Sequence, residues 1–130
     1  MATRTILTPD LLRAAPRPKP VDVPLPELGD GVVVPVWPMT AREWTQFQSE
    51  QQGPDGKPNG NVKTVRERLV VRCCRNDDGT PIFTRADFEA IGATSAAIIE
   101  RIVNKALELS GARESDLKSM EKNSDTTQGG

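Results

Sequence analysis

Between Ala96 and Leu109 the chain carries Ile98, Ile99, Ile102, Val103, Ala106, Leu107 and Leu109 at helical spacing. These residues make the helix apolar over more than half of its circumference. A helix on the surface of a monomer needs only a stripe of roughly 100° facing the core. A face this broad must be covered from two sides. Either the helix is sandwiched between other elements, or it seals an interface between subunits. Gly111 follows as its C-terminal cap, and Thr94 or Ser95 precedes it as the N-terminal one.

The rest of the chain has to supply that cover. Val62, Val65, Leu69 and Cys73 fall on one face of a second helix over residues 62–74. Val70 and Val71 widen that face, while Arg66, Glu67 and Arg72 lie mostly off it, so this helix is expected to be central. Thr40-Ala41-Arg42-Glu43 is a capping-box pattern. It opens a helix that carries Trp44 and Phe47 and fades by Gln52. Thr84 with Asp87 reads as an N-cap with an acidic first turn, opening a short helix with Phe88 and Ile91 that stops at Gly92. Thr8-Pro9-Asp10 starts another short helix, with Leu11 and Leu12, which Pro16 ends.

Residues 21–39 read as a β-hairpin. Val21, Val23 and Leu25 alternate with Asp22, Pro24 and Pro26, Gly29-Asp30-Gly31 makes the turn, and Val32 to Met39 returns as a β-branched strand. Its prolines confine it to an edge or to an isolated ribbon. A lone hairpin is marginal in water, so this one must pack on the helices or pair with another subunit. Residues 53–61 read as a flexible loop by composition. The expected fold class is α+β, mainly α: an N-terminal β-hairpin plus a small bundle of about four helices, with flexible termini. The expected divisions are a flexible arm over 1–20, the α+β helical domain over 21–111, and a disordered C-terminal tail over 112–130, where Leu117 and Met120 are the only large apolar residues.

Chemistry is absent from the pattern. The 130 residues include no His, which excludes Ser/His/Asp and Cys/His catalysis. Cys73 and Cys74 are adjacent and cannot easily reach disulfide geometry; they read as reduced, packed thiols of a cytosolic protein. The Asp77-Asp78 turn has part of the look of a calcium loop, but lacks its spaced oxygen ligands and closing Glu. The chain is therefore expected to be a non-enzyme with no catalytic residues, no cofactor and no metal. A net charge of −1 supplies no one-signed field for nucleic acid or membrane surfaces. Neither a signal peptide nor a membrane-spanning run is expected. The stretch from Phe83 to Leu107 has helix-turn-helix spacing, which keeps a small DNA-binding regulator as an alternative. However, the N-terminal end of its second helix reads Ala96-Ala97-Ile98-Ile99-Glu100, apolar and then acidic.

Several of these parts together resemble the tail assembly chaperones of long-tailed bacteriophages. The resemblance runs from the hairpin and Val36-Trp37-Pro38-Met39-Thr40-Ala41-Arg42-Glu43, through Leu69-Val70-Val71-Arg72-Cys73-Cys74 and Asp77-Asp78-Gly79-Thr80-Pro81-Ile82-Phe83-Thr84, to the last apolar helix and Glu121-Lys122-Asn123-Ser124. It implies a mostly helical, self-associating protein of the host cytoplasm. Such a protein binds and solubilises the long helical tape measure protein, helps recruit tail tube subunits, and is absent from the mature virion. It also implies that the gene can yield a longer product by ribosomal frameshifting, for which Gly129-Gly130 would suit a G-rich slippery site. A structural head–tail connector is a further alternative. A chaperone for an apolar helix needs apolar surface. The expected partner-binding residues are therefore Trp37, Trp44 and Phe47 near the hairpin and Ile98, Ile99, Ile102, Val103 and Ala106 on the wide helix. For each residue singly, plain core packing is the competing assignment.

Overall fold

The computed structural model describes residues 3–113 and 115–120. In chain order the elements are α1 (Pro9–Arg13), β1 (Val21–Pro24), β2 (Val33–Val36), α2 (Ala41–Glu50), α3 (Val65–Cys73), α4 (Phe88–Gly92) and α5 (Ala96–Leu109). Single 3-10 turns lie at Pro26–Leu28, Gly60–Thr64 and Arg85–Asp87, and residues 115–120 are helical. The fold is α+β and mainly α, with the hairpin at the N-terminal side of the helices.

Local chemistry sets the helix ends. Thr8 Oγ1 accepts a hydrogen bond from the Leu11 amide at 3.2 Å. Thr40 and Glu43 close a capping box, with Glu43 N donating to Thr40 Oγ1 at 3.2 Å and Thr40 N donating to Glu43 Oε1 at 3.1 Å. Thr84 and Asp87 form a second one. α5 starts differently. The side chain of Ser95, its N-cap, makes no capping bond, and Thr94 Oγ1 donates to the Ala90 carbonyl of the preceding helix instead. At the other end Gly111 N donates to Glu108 O and Ala112 N donates to Leu107 O, with Gly111 at φ +74°. That is the Schellman arrangement, whose left-handed residue favours glycine.

The hairpin pairs Val21 with Val36, Asp22 with Pro35, Val23 with Val34 and Pro24 with Val33. Leu25 N donates to Val32 O. By the alternation of an antiparallel ladder, the Pro24 and Pro35 pairs are then those that exchange no hydrogen bonds, so neither proline costs the hairpin a bond. The turn is broader than Gly29-Asp30-Gly31, because Pro26 nucleates a 3-10 turn ahead of it. The hairpin is not an isolated ribbon. Val36 bridges to Cys74, Trp37 N donates to Cys73 O, and Arg75 N donates to Pro35 O, so the end of α3 continues the sheet on its open side.

α3 packs along α5, and both strands pack on α5 as well. Val65, Leu69, Val70 and Cys73 of α3 are buried, as are Ile98, Ile102, Val103, Ala106 and Leu107 of α5, Val23, Val34 and Val36 of the hairpin, and Phe47 of α2. Of the two ways to cover the broad face of α5, the fold uses the sandwich. Met39 N donates to Ser110 Oγ at 2.9 Å and ties the start of α2 to the end of α5.

Two expectations need correction. Residues 53–61 are not loosely held. Asn59 Nδ2 donates to Glu50 O and Gln52 O, and Asn61 Nδ2 donates to Glu50 O at 2.7 Å, so two side-chain amides satisfy carbonyls at the end of α2. The segment from residue 112 does not start as a tail either. After the Schellman turn the chain folds back, residues 115–120 are helical, and Leu117 is fully buried against the core. Ala112 before it and Met120 one turn on are partly buried against the same core. The remainder of the expected tail, residues 121–130, lies outside the described residues, as do Glu121 to Ser124 and the terminal glycines of the resemblance.

Candidate functional site

The eight expected partner-binding residues separate into two groups. Phe47, Ile98, Ile102, Val103 and Ala106 are buried. They pack in the core, and two of them, Ile98 and Ile102, also line an open cleft. Trp37, Trp44 and Ile99 are half-buried. Trp44 stacks on Phe47 with ring centroids 5.8 Å apart, and Trp37 Nε1 donates to Arg75 O at 3.3 Å. The structure does not gather the set onto one surface. Trp37 lines one cleft, Ile98, Ile99 and Ile102 line another, and Trp44 lines neither.

The cleft on α5 is the more apolar of the two. It encloses about 210 Å³ between the hairpin connection, α3, α4 and α5. Leu25 and Leu28 come from the connection, Val34 from β2, Val70 from α3, Phe83 from the segment before α4, Ile91 from α4, and Ile98, Ile99 and Ile102 from α5. Asp87 and Thr94 are its polar contributors. The cleft exists because the cover on α5 is incomplete at this margin. Leu28 is 58% exposed, and Val32, Val33 and Ile82 are also exposed, so apolar surface continues beyond the cleft along the hairpin. The volume is below the roughly 300–1,000 Å³ of small-molecule sites. It suits inserted side chains of a partner, not a cofactor.

One ion pair fixes the roof. Arg101 of α5 grips Glu27 through two hydrogen bonds, at 2.9 and 2.6 Å, and also donates to Pro24 O at 3.1 Å. The forked geometry is the strong form of such a pair. The Arg101 hydrogen bond brings the Glu27 carboxyl from its ordinary 4.5 down to about 2. It clips the hairpin connection to the helix beneath it.

The second cleft, of about 270 Å³, is lined by Arg17, Pro18, Trp37, Pro38, Met39, Glu43, Arg72 and Arg75. Two of its three cations are neutralised in place: Arg75 pairs with Glu43 at 3.3 Å and Arg72 with Glu50. That is not the arrangement of a phosphate cradle. The acidic turn is built for its own closure. Thr80 donates to Asp78 Oδ1 from both its amide and its hydroxyl, which lowers the Asp78 carboxyl. Among the described residues no three His, Cys, Asp or Glu side chains come together as a metal site, and no helix is long and apolar enough to cross a membrane. Burial pushes both Cys73 and Cys74 up to about 12, so neither is an activated thiolate at neutral pH.

α5 is also badly placed as a DNA-recognition helix, since α3 and the hairpin cover it from two sides. At its N-terminal half Glu100 pairs with Arg66 at 2.9 Å and Arg101 is held by Glu27.

Sequence reasoning missed most of the cleft. Leu25, Val34, Phe83 and Ile91 come from distant segments with nothing local to join them. The available signal was Leu28, a large aliphatic residue in a connection otherwise made of turn residues. A family model described as phage tail assembly chaperone matches residues 17–125. No curated protein and no solved structure matches the chain.

Proposed function

We propose that this chain, which belongs to the phage tail assembly chaperone family, binds and solubilises the tape measure protein by taking apolar side chains of its helix into the cleft on α5. Helping to recruit tail tube subunits belongs to the same reading. So do self-association, a longer frameshifted product, residence in the host cytoplasm during assembly, and absence from the finished virion. The protein works by binding and carries out no reaction.

The observation that carries the proposal is an open apolar cleft on an otherwise closed core, continued by exposed Leu28, Val32 and Val33. An amphipathic or apolar helix docks by placing anchors at i, i+3, i+4 and i+7 into such a groove. Ile99 and Leu28 form the accessible walls, while Ile98 and Ile102 below them hold the fold.

The test is co-expression with the tape measure protein, followed by pull-down and a solubility assay. Leu28→Asp and Ile99→Lys are the informative substitutions, because both residues reach solvent and the helical circular dichroism should survive. The unsubstituted chain should yield a soluble complex, and either variant should lose it. A complex retained by both variants removes the cleft from the interface. Purified virions free of this chain would separate the chaperone from a structural connector.

A further inference from the structure

The N-terminal arm carries the other large apolar surface that the fold leaves open. Ile6, Leu7, Leu11 and Leu12 are 69%, 66%, 50% and 63% exposed. No residue of α1 is buried, although the helix is capped by Thr8, begun by Pro9 and closed by an Asp10–Arg13 ion pair. A single helical turn with that much aliphatic surface does not persist alone in water. A capped turn presenting two adjacent leucines is shaped to be covered.

The arm's own copy does not cover it. Arg17 and Pro18 leave the body beside Trp37 and Met39, at the second cleft, and residues 3–19 are exposed throughout. Charge points to the cover. Arg4, Arg13, Arg17 and Lys19 against Asp10 give residues 1–20 a net charge of +3, leaving −4 on the rest of a chain whose total is −1. Part of that negative charge lies at the apolar cleft itself, where Asp87 is a lining residue. The cleft is the complementary surface in polarity as well, with solvent-open aliphatic walls.

We infer that the arm of one copy seats Leu11 and Leu12, flanked by Ile6 and Leu7, in the apolar cleft of a second copy. The inference rests on the reading of that cleft as a binding surface. It adds the segment that fills the cleft while no client is present. Arm and cleft lie on every chain, so the contact is heterologous. It either closes reciprocally into a pair or propagates from copy to copy. Self-association and client binding then compete for one surface, and a tape measure helix displaces the arm.

Three full-length chains test this by light scattering across a concentration series: the unsubstituted chain, an arm variant (Leu11→Asp with Leu12→Asp) and a cleft variant (Leu28→Asp). The unsubstituted chain should rise from 14.2 kDa to a multiple of it, and each variant should stay at the monomer mass, a loss of at least about tenfold in self-affinity. An equimolar mixture of the two variants retains one intact arm and one intact cleft, and should recover a pair. The arm variant should also bind the tape measure protein at least as tightly as the unsubstituted chain, because its cleft is vacated. An unsubstituted chain that remains monomeric throughout, or an arm variant that associates undiminished, overturns the inference. The two readings fail separately. Loss of tape measure binding in Leu28→Asp with unchanged association in the arm variant sinks the arm alone. Recovery in the mixture with tape measure binding indifferent to Leu28→Asp sinks the client role alone.

Discussion

Leu117 is the residue on which sequence and structure differ most sharply. Composition places it in a tail with nothing to bury, whereas the structure leaves none of it exposed and sets it in the main core. Leu117→Ala therefore discriminates well. Removing a fully buried leucine side chain to alanine costs about 2–5 kcal/mol, depending on how far the site collapses. A domain of this size has a total stability of about 5–15 kcal/mol, with small cores at the lower end. One substitution thus removes a large part of the stability. With a urea slope of about 1–3 kcal/mol per molar for small proteins, the unfolding midpoint should fall by about 1–2 M with the slope unchanged. Ser119→Ala, on an exposed residue two positions on, is the control and should stay within about 0.5 kcal/mol. If Leu117→Ala moves the midpoint no further than Ser119→Ala, the fold-back after Gly111 is not part of the core.

Thr40→Ala removes the acceptor for Glu43 N and opens the capping box of α2; it should cost about 1 kcal/mol and lower Tm by about 4–8 °C, read by thermal circular dichroism. Cys73 and Cys74 titrate near 9 when unfolded and are pushed up to about 12 by burial, so only the unfolded chain releases these two protons between those values. Stability should therefore fall as pH rises above about 9, by about 1.4 kcal/mol per pH unit for each thiol, and a Cys73→Ala, Cys74→Ala chain should have a visibly flatter alkaline profile in urea titrations at successive pH values. Glu27, drawn from 4.5 down to about 2 by Arg101, contributes its clip in full above pH 4.5 and loses it as pH falls through about 2. Its carboxyl carbon resonance should titrate near the lower value and return toward 4.5 in Arg101→Ala, and a native midpoint already at 4.5 would mean that the clip does not form in solution.

The parts of the fold that were legible are those governed by near neighbours. Thr40 to Glu43 and Thr84 to Asp87 announce helix starts within four residues. The burial of Val62, Val65, Leu69 and Cys73 follows from spacing alone, and so does the demand of α5 for cover on two sides. What spacing could not decide was who provides that cover. The hairpin and α3 do so, which packs four of the eight expected contact residues, Ile98, Ile102, Val103 and Ala106, into the core, while Phe47 is buried from α2. The illegible parts depend on longer reach. Asn59 and Asn61 secure their loop through carbonyls seven to eleven residues away, Arg101 meets Glu27 across 74 positions, and Leu117 has only Met120, three positions on, as a periodic companion.

This arrangement bears on how such a chain would handle a long client. The helix with the most apolar surface is also the helix the core cannot release, so on the proposed reading client contact is confined to the margin where its cover ends. A cleft of about 210 Å³ accepts only a few side chains, a smaller contact than the roughly 1,600 Å² of a standard stable interface calls for. On the proposed reading, firm retention of a tape measure helix must come from many copies engaging it in series, each contact raising the local concentration of the next. Arm-to-cleft contacts between neighbouring copies would hold the series together before the client arrives and yield to it one at a time. Affinity should then rise steeply with client length while single contacts stay weak. A tape measure fragment long enough for one cleft should bind poorly, and one long enough for several should bind well; equal affinity for the two would place the interface somewhere other than this margin.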